Sequence, residues 1–389
     1  MPVINRVAEL ADEITVWRRH LHENPEILYE VHETAAFVAD KLKSFGVDEV
    51  VTGLGRTGVV GVIKGAKPGK GKTIALRADM DALPIEELTD LPYKSKKPGA
   101  MHACGHDGHT AMVLGAAKYL AETRNFAGTA VLIFQPAEEG GNGALAMIED
   151  GMMERFGVDE VYGLHNDPTI AIGKFGIRPG AVMAAMDRFT INISGKGSHG
   201  AAPHLSVDPV LILSQVITAL QSIASRNVDP IESIVVSTCV VEAGSAFNII
   251  PQTAKLVGTV RTLSEKTRDL AETRMKEICA GVATSFGAKI DVDYWRGTPV
   301  LVNNDEKAEF AAKIAREVVG EANVNDNVKQ IMGGEDFAFM LNSRPGAFIF
   351  LGNGDTPYCH HPSYNFSDEA IPFGVSYFVR LVETATQAQ

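Results

Sequence analysis

TAVLIFQPAEEGG, residues 129–141, is an unbroken apolar run that ends in a proline, two carboxylates and two glycines. A short run of this kind, bounded by turn residues, reads as a strand buried on both faces. On either side the pattern alternates. TGVVGVIKG (57–65) and TIALRAD (73–79) read as strands, residues 108–121 as a helix, 143–150 as a short helix, and VDEVYGLH (158–165) as another strand. Residues 5–22 and 33–45 read as amphipathic helices, the second stopped by Gly46. Alternating β and α segments predict an α/β fold, with a mixed, parallel-rich sheet covered by helices. Such sheets gather their chemistry at the carboxyl ends of the strands. Asp79 and Asp81 follow one strand, Glu138 and Glu139 a second, and His165 a third.

The texture changes near residue 187. RFTINISGKG (188–197) alternates as a half-buried strand does. A helical pattern follows over 207–225, then strands at 232–244 and 253–262, a helix over 264–286 and a strand at 288–295. This β-α-β-β-α-β order predicts an α+β, ferredoxin-like domain of one sheet and two helices. Helices over about 304–319 and 336–342, the strand AFIFLG (347–352) and a last helix from about 368 then resume the first pattern. The expected organisation is a catalytic domain of residues 1–186 and 297–389, interrupted by an inserted domain of residues 187–296.

With 389 residues the chain exceeds one ordinary core, which agrees with two domains. The net charge of -12 argues against nucleic acid and membrane as partners, since both present negative charge. The first 26 residues carry charges throughout and lack the apolar centre of a signal peptide. No stretch approaches the roughly 20 apolar residues of a membrane helix. Cys104, Cys239, Cys279 and Cys359 are too dispersed for a disulfide framework and suit a reducing cytoplasm. Cys239 and Cys279 read as core residues, and Cys359 as a loop residue beside His360.

MHACGHDGHT (101–110) places Cys104 and His106 two residues apart between glycines, just before a helix. Thiolate and imidazole are ligands for zinc and similar metals, although a glycine-rich helix entry would also produce this cluster. Glu138 and Glu139 follow the buried strand. Two buried carboxylates are costly unless a cation is near, and an acidic helix start is the competing reading. His165 ends a strand in GLHNDP (163–168), and His360 and His361 occupy a proline-bounded loop in YCHHPSYNF (358–366). One thiol, three imidazoles and a carboxylate make a full set of donors for two metals. Tyr358, Tyr364 and Phe366 either line an acyl pocket or pack that loop.

These motifs, together with WRRHLHENPE (17–26), LRADMDALPI (76–85), GKGSHGAAPH (195–204), AFNIIP (246–251) and MGGEDFAFM (332–340), run nearly the length of the chain. In combination they resemble the aminoacylase-type metallopeptidases, in the amidohydrolase branch of hippurate hydrolases, N-acyl-amino-acid amidohydrolases and plant auxin-conjugate hydrolases. The resemblance implies a zinc-peptidase-like catalytic domain with an inserted lid or dimerisation domain. It implies two divalent metal ions per subunit (zinc, manganese, cobalt or nickel), held by Cys104, His106, Glu139, His165 and His360, with Cys104 bridging. Glu138 is then the general base and His199 the lid histidine that steadies the oxyanion, often from a partner subunit. Asn248, Arg261, Gly333 and Gly334 are placed to bind substrate, Arg261 through a carboxylate. Other branches carry a histidine where this chain has Asp79, so the first-metal set differs, with Cys104 and His106 compensating and Asp81 orienting a ligand. His102, Asp107 and His109 are expected to support the loop.

The implied reaction is hydrolysis of the amide bond of a small N-acyl amino acid, hippurate-like or N-acetyl, by a homodimer or homotetramer assembled through the lid. Two rivals stand beside it. Cys104 at a helix start could be a nucleophile activated by His106 or His109. The protein could also bind metal without turnover.

Overall fold

The computed structural model describes residues 3–386, so the outermost residues of the expected catalytic domain lie outside the described residues. The chain forms two compact units. One comprises the chain up to Gly180, Val302–Lys329 and the chain from Asp336 onward; the other comprises Ala181–Leu301 and Gln330–Glu335. Relative to the sequence boundaries at 187 and 296, the second unit also takes in residues 181–186, 297–301 and 330–335.

The first unit is built on an eight-stranded mixed sheet. Its leading strands are β1 (Glu49–Leu54), β2 (Gly58–Lys64), β3 (Thr73–Asp79), β4 (Thr129–Gln135) and β5 (Glu160–Asp167). The order is β1-β2-β4-β3-β5, continued by strands Gly346–Gly352, Phe175–Gly176 and Val324–Asn325. The centre, from β4 through β3 and β5 to Gly346–Gly352, is parallel. β1 and β2 form an antiparallel edge. β4 is buried over Ala130–Gln135, as its apolar run requires. The edge strand β1 was not foreseen, because EVVTGL is half-exposed and interrupted by Gly53, where the register shifts.

Helices α1 (Asn5–Glu23), α2 (His32–Ser44) and α3 (His106–Thr123) share one core with the sheet and with helices Asp305–Val319 and Ile371–Ala385. α3 begins two residues earlier than its pattern suggested. Gly105 takes φ 93°, a left-handed turn that starts the helix at His106. A Cβ at Gly105 would lie 2.1 Å from Asn166 Oδ1, so a side chain is excluded there twice over. The last helix begins at Ile371, after a single tight turn at Asp368–Ala370.

The second unit is a four-stranded antiparallel sheet in the order Ile234–Ala243, Thr253–Thr262, Ala185–Ser194, Lys289–Arg296. Helices Pro209–Ser222 and Glu265–Phe286 complete the β-α-β-β-α-β chain order. Phe189, Ile191 and Ile193 point inward at period two and join residues of both helices in a separate core. Cys279 belongs to that core. Cys239, expected in a core, is exposed, because it lies at a register shift in the strand at the edge of the sheet.

Candidate metal centre and active site

Parallel pairing of β3 with β4 sets Asp79 opposite Gln135, so the segments that leave these strands start side by side. Asp81 and the Glu138–Glu139 turn meet there. The Asp81 carboxylate accepts the backbone N–H of Glu138 at 3.0 Å and of Glu139 at 3.1 Å, and its carbonyl faces His106 Nδ1 at 2.8 Å. The glutamate pair therefore lies in a tight turn, before the helix Gly143–Glu149 and not at its start. Ala137 has φ 53° and His360 φ 69°, two strained non-glycine residues flanking the same place.

Donor atoms of Cys104, His106 and His165 lie within 4.8 Å of one another, and so do those of Cys104, Glu139 and His360. The two sets share the Cys104 sulfur. His106, Glu138 and Glu139 make a third such set. Cys104 Sγ is 3.4 Å from His165 Nε2, and His360 Nε2 is 3.2 Å from Glu139 Oε1. His361 instead turns its Nδ1 to the backbone N–H of Ser363 at 3.0 Å.

Proton placement gives this cluster its character. His106 Nδ1 donates to the Asp81 carbonyl and His165 Nδ1 to the Asn166 carbonyl at 2.7 Å. Each ring then turns its Nε2 toward the centre. His106 Nε2 is buried with no hydrogen-bond partner, while Asp79, Glu139 and Glu138 oxygens stand 3.7, 3.9 and 4.0 Å away. Those separations are too long for hydrogen bonds. Metal-ligating atoms converging on one space make a candidate cation site, and thiolate, imidazole and carboxylate suit a zinc-like divalent metal.

Charge follows the same logic. Burial would push the His106 imidazole down, but Asp79, Asp81 and Glu139 pull it well above its ordinary value, so without a metal its Nε2 keeps a proton that a bound cation would displace. Burial and the nearby His109 keep His165 low, hence neutral and able to donate a lone pair. Its hydrogen bond with Cys359, burial and the carboxylates push the Cys104 thiol well up. An activated catalytic cysteine has its thiol pKa lowered, not raised, which weighs against the cysteine-hydrolase reading.

The surrounding shell was only partly legible. His109 Nδ1 meets Asp79 at 2.7 Å, and its Nε2 accepts the Asn166 backbone N–H at 3.1 Å, which fixes the peptide beside His165. Arg77, fully buried, clamps Asp79 at 2.7 Å and Asp336 at 3.1 Å. Neither Arg77 nor Asp336 was singled out from sequence. A charged residue inside an otherwise apolar strand such as TIALRAD was the available signal. Tyr364 and Phe366 are fully buried core residues, so packing, not an acyl pocket, is their role.

The remaining expected site residues belong to the second unit. His199 lies on a short strand, Ser198–His199, paired with Ile249–Ile250, and it is exposed. The Asn248 carbonyl accepts Gly200 N–H at 2.8 Å. Arg261 is half-buried on strand Thr253–Thr262 and forms no hydrogen bond or ion pair among the described residues. A Cβ at Gly334 would meet Met186 Cγ at 2.3 Å, so only glycine fits against that side chain.

Comparison with known proteins agrees with this geometry. The model of peptidase family M20/M25/M40 matches residues 75–384. A hippurate hydrolase of Campylobacter jejuni is 47% identical over 381 residues, spanning 98% of this chain and 98% of the relative. An N-acetyl-L-cysteine deacetylase of Bacillus subtilis is 43% identical over 364 residues, spanning 93% of this chain and 85% of the relative. The solved structure of a dinuclear metal-binding peptidase of Bacillus subtilis matches with a TM-score of 0.86 and 34% identity, over 98% of this chain and 100% of that one. With a matched segment that spans most of the chain and a site built of metal donors, this protein belongs to peptidase family M20/M25/M40.

Proposed function

We propose that the protein hydrolyses the amide bond of N-acyl amino acids, with Cys104, His106, Glu139, His165 and His360 holding two divalent metal ions and Glu138 acting as general base. It is an amidohydrolase, like its hippurate-hydrolase and deacetylase relatives. The observation that carries the reading is the convergence of the His106 and His165 Nε2 atoms with the Cys104 sulfur beside two glutamates, with His106 Nε2 buried and making no hydrogen bond. The donor chemistry fits zinc, manganese, cobalt or nickel. Such an ion, when bound, lowers the pKa of a water toward about 7 and polarises a carbonyl.

The chain's own groups supply the rest. Glu138 takes the proton of the attacking water and hands it to the leaving amine. Asp81 fixes the turn that carries Glu138 through its hydrogen bonds to two successive N–H groups. His199 steadies the developing oxyanion, a contribution of about 3–4 kcal/mol for a well-placed donor. Arg261, half-buried and forming no hydrogen bond or ion pair among the described residues, takes the substrate carboxylate, and Asn248 and Gly334 shape its surroundings. Exposed Val240, Val241, Phe247 and Ile249 on the second unit support assembly of a homodimer or homotetramer through that unit. Four free cysteines support a reducing, cytoplasmic setting. No helix among the described residues is long and apolar enough to cross a membrane.

The test is release of free amine from N-benzoyl, N-acetyl and indoleacetyl amino acids, before and after chelation and metal readdition. Activity lost to the chelator and restored by metal is expected. Chelator-insensitive activity that alkylation abolishes would return the nucleophile role to Cys104. Bound metal with no amine released from any substrate would make the protein a binder.

A further inference from the structure

Cys359 stands at the centre without a place in the chemistry above. Its thiol points at the Cys104 carbonyl at 3.9 Å and receives Asn166 Nδ2 at 3.8 Å. The two loops are tied by His360 N–H donating to the Ala103 carbonyl at 2.7 Å. That bond joins the residue after Cys359 to the residue before Cys104, so the cysteines project from adjacent points of paired segments. Cys104 is buried, whereas Cys359 is partly open to solvent. Cys239 and Cys279 belong to the other unit. With one sulfur already 3.9 Å from the backbone carbonyl of the other cysteine, side-chain rotation is the movement a disulfide of about 2.05 Å would call for.

We propose that Cys104 and Cys359 form an oxidative modification site, where a hydroperoxide joins the two sulfurs and so removes Cys104 from the metal donor set. Its consequence for metal rests on the reading of Cys104 as a donor. The more exposed Cys359 thiolate attacks one peroxide oxygen. The O–O bond breaks, leaving a sulfenic acid on Cys359 and releasing an alcohol, or water from hydrogen peroxide. Cys104 sulfur then attacks the sulfenic sulfur, the S–O bond breaks, and the departing hydroxide leaves as water with a proton. Two thiols and one hydroperoxide become one disulfide, one alcohol and one water, with the sulfurs giving up two electrons. Thiol reductants reverse the bond by exchange. A metal that holds the Cys104 sulfur competes with oxidation, so the metal-free protein is the sensitive form.

The experiment treats metal-stripped full-length protein with about one equivalent of hydrogen peroxide. Intact mass, non-reducing peptide mapping, thiol titration and uptake of zinc ion are then followed for wild type and Cys359→Ser. Wild type should lose the mass of two hydrogens and two titratable thiols, and yield a peptide linking residues 104 and 359. Loss of an outer partner of a ligand already costs about 10–100-fold in metal affinity, so loss of the donor itself should lower zinc affinity by more than about tenfold. Dithiothreitol should restore it. Cys359→Ser should bind zinc normally and keep that binding after the same treatment. No cross-link in wild type, a cross-link to another cysteine, or equal loss of uptake in both proteins would overturn the modification site and leave the donor reading standing. A 104–359 cross-link with undiminished zinc uptake would overturn the donor reading of Cys104, and the switch with it.

Discussion

At the scale of single residues, two adjacent glutamates with the same chemistry are separated by geometry. Glu139 Oε1 stands 3.2 Å from His360 Nε2, whereas Glu138, held by its backbone at Asp81, keeps its carboxylate beside the cluster at 4.0 Å from His106. Glu138→Gln keeps the shape and removes the basic oxygen. It should retain its metal content and lose about 10²–10⁴-fold in turnover, read by metal analysis alongside amine release. Wild-type turnover in that variant would remove the base assignment. The same scale shows what could not be read in advance. Asp79 could be placed at the end of its strand, but its partners, Arg77 two residues back and His109 thirty residues on, become visible only once β3 and α3 are packed.

At the scale of elements, α3 carries His106 in its first turn, so the site inherits whatever fixes that helix. Gly115 lies where α3 meets α1 and the last helix. A Cβ there would fall 2.6 Å from Ile14 Cδ1 and 3.0 Å from Val375 Cγ2. Gly115→Leu gains about 1 kcal/mol in helix propensity but overpacks two buried neighbours, at about 1–3 kcal/mol. Because both neighbours are wholly buried, overpacking should win, with a net loss of up to about 2 kcal/mol in chemical denaturation. α1 also reaches α3 through charge. His22 Nδ1 meets Asp107 at 2.8 Å and its Nε2 meets Glu87 at 3.4 Å, with Arg18 on Asp107 and neutral His102 nearby. Burial would lower the His22 pKa, but Asp107 and Glu87 raise it to about 9. A raised folded pKa stabilises below the unfolded value of about 6.5, and that stability fades as pH climbs through 9. Unfolding free energy should therefore fall by up to about 3 kcal/mol between pH 6.5 and 9.5, and His22→Gln should flatten that slope. A wild-type curve already flat in this window would contradict the pairing.

At the scale of the whole molecule, the five donors and Glu138 all come from the first unit, and each unit has its own core. Metal at about 100 times its dissociation constant stabilises by about 2.7 kcal/mol. For a unit of this size that is a rise of about 5–10 °C in midpoint. Calorimetry of chelated and reloaded protein should show the transition of the first unit move and that of the second stay. Equal movement of both, or of neither, would count against a site confined to the first unit. The alternation of β and α segments, the βαββαβ insert and the donor types at strand ends were set by local chemistry: apolar runs, glycine stops and carboxylates that no apolar interior tolerates alone. Sequence could therefore name the fold class, and the resemblance of its motifs singled out Cys104, His106, Glu138, Glu139, His165 and His360. It could not show that β1 closes the edge, that α3 starts at His106, that Cys239 faces solvent, or that Arg77 and Asp336 brace the centre. Those depend on strand register and helix packing between residues far apart in the chain, which pair by burial and hydrogen-bond satisfaction and leave no period in the sequence.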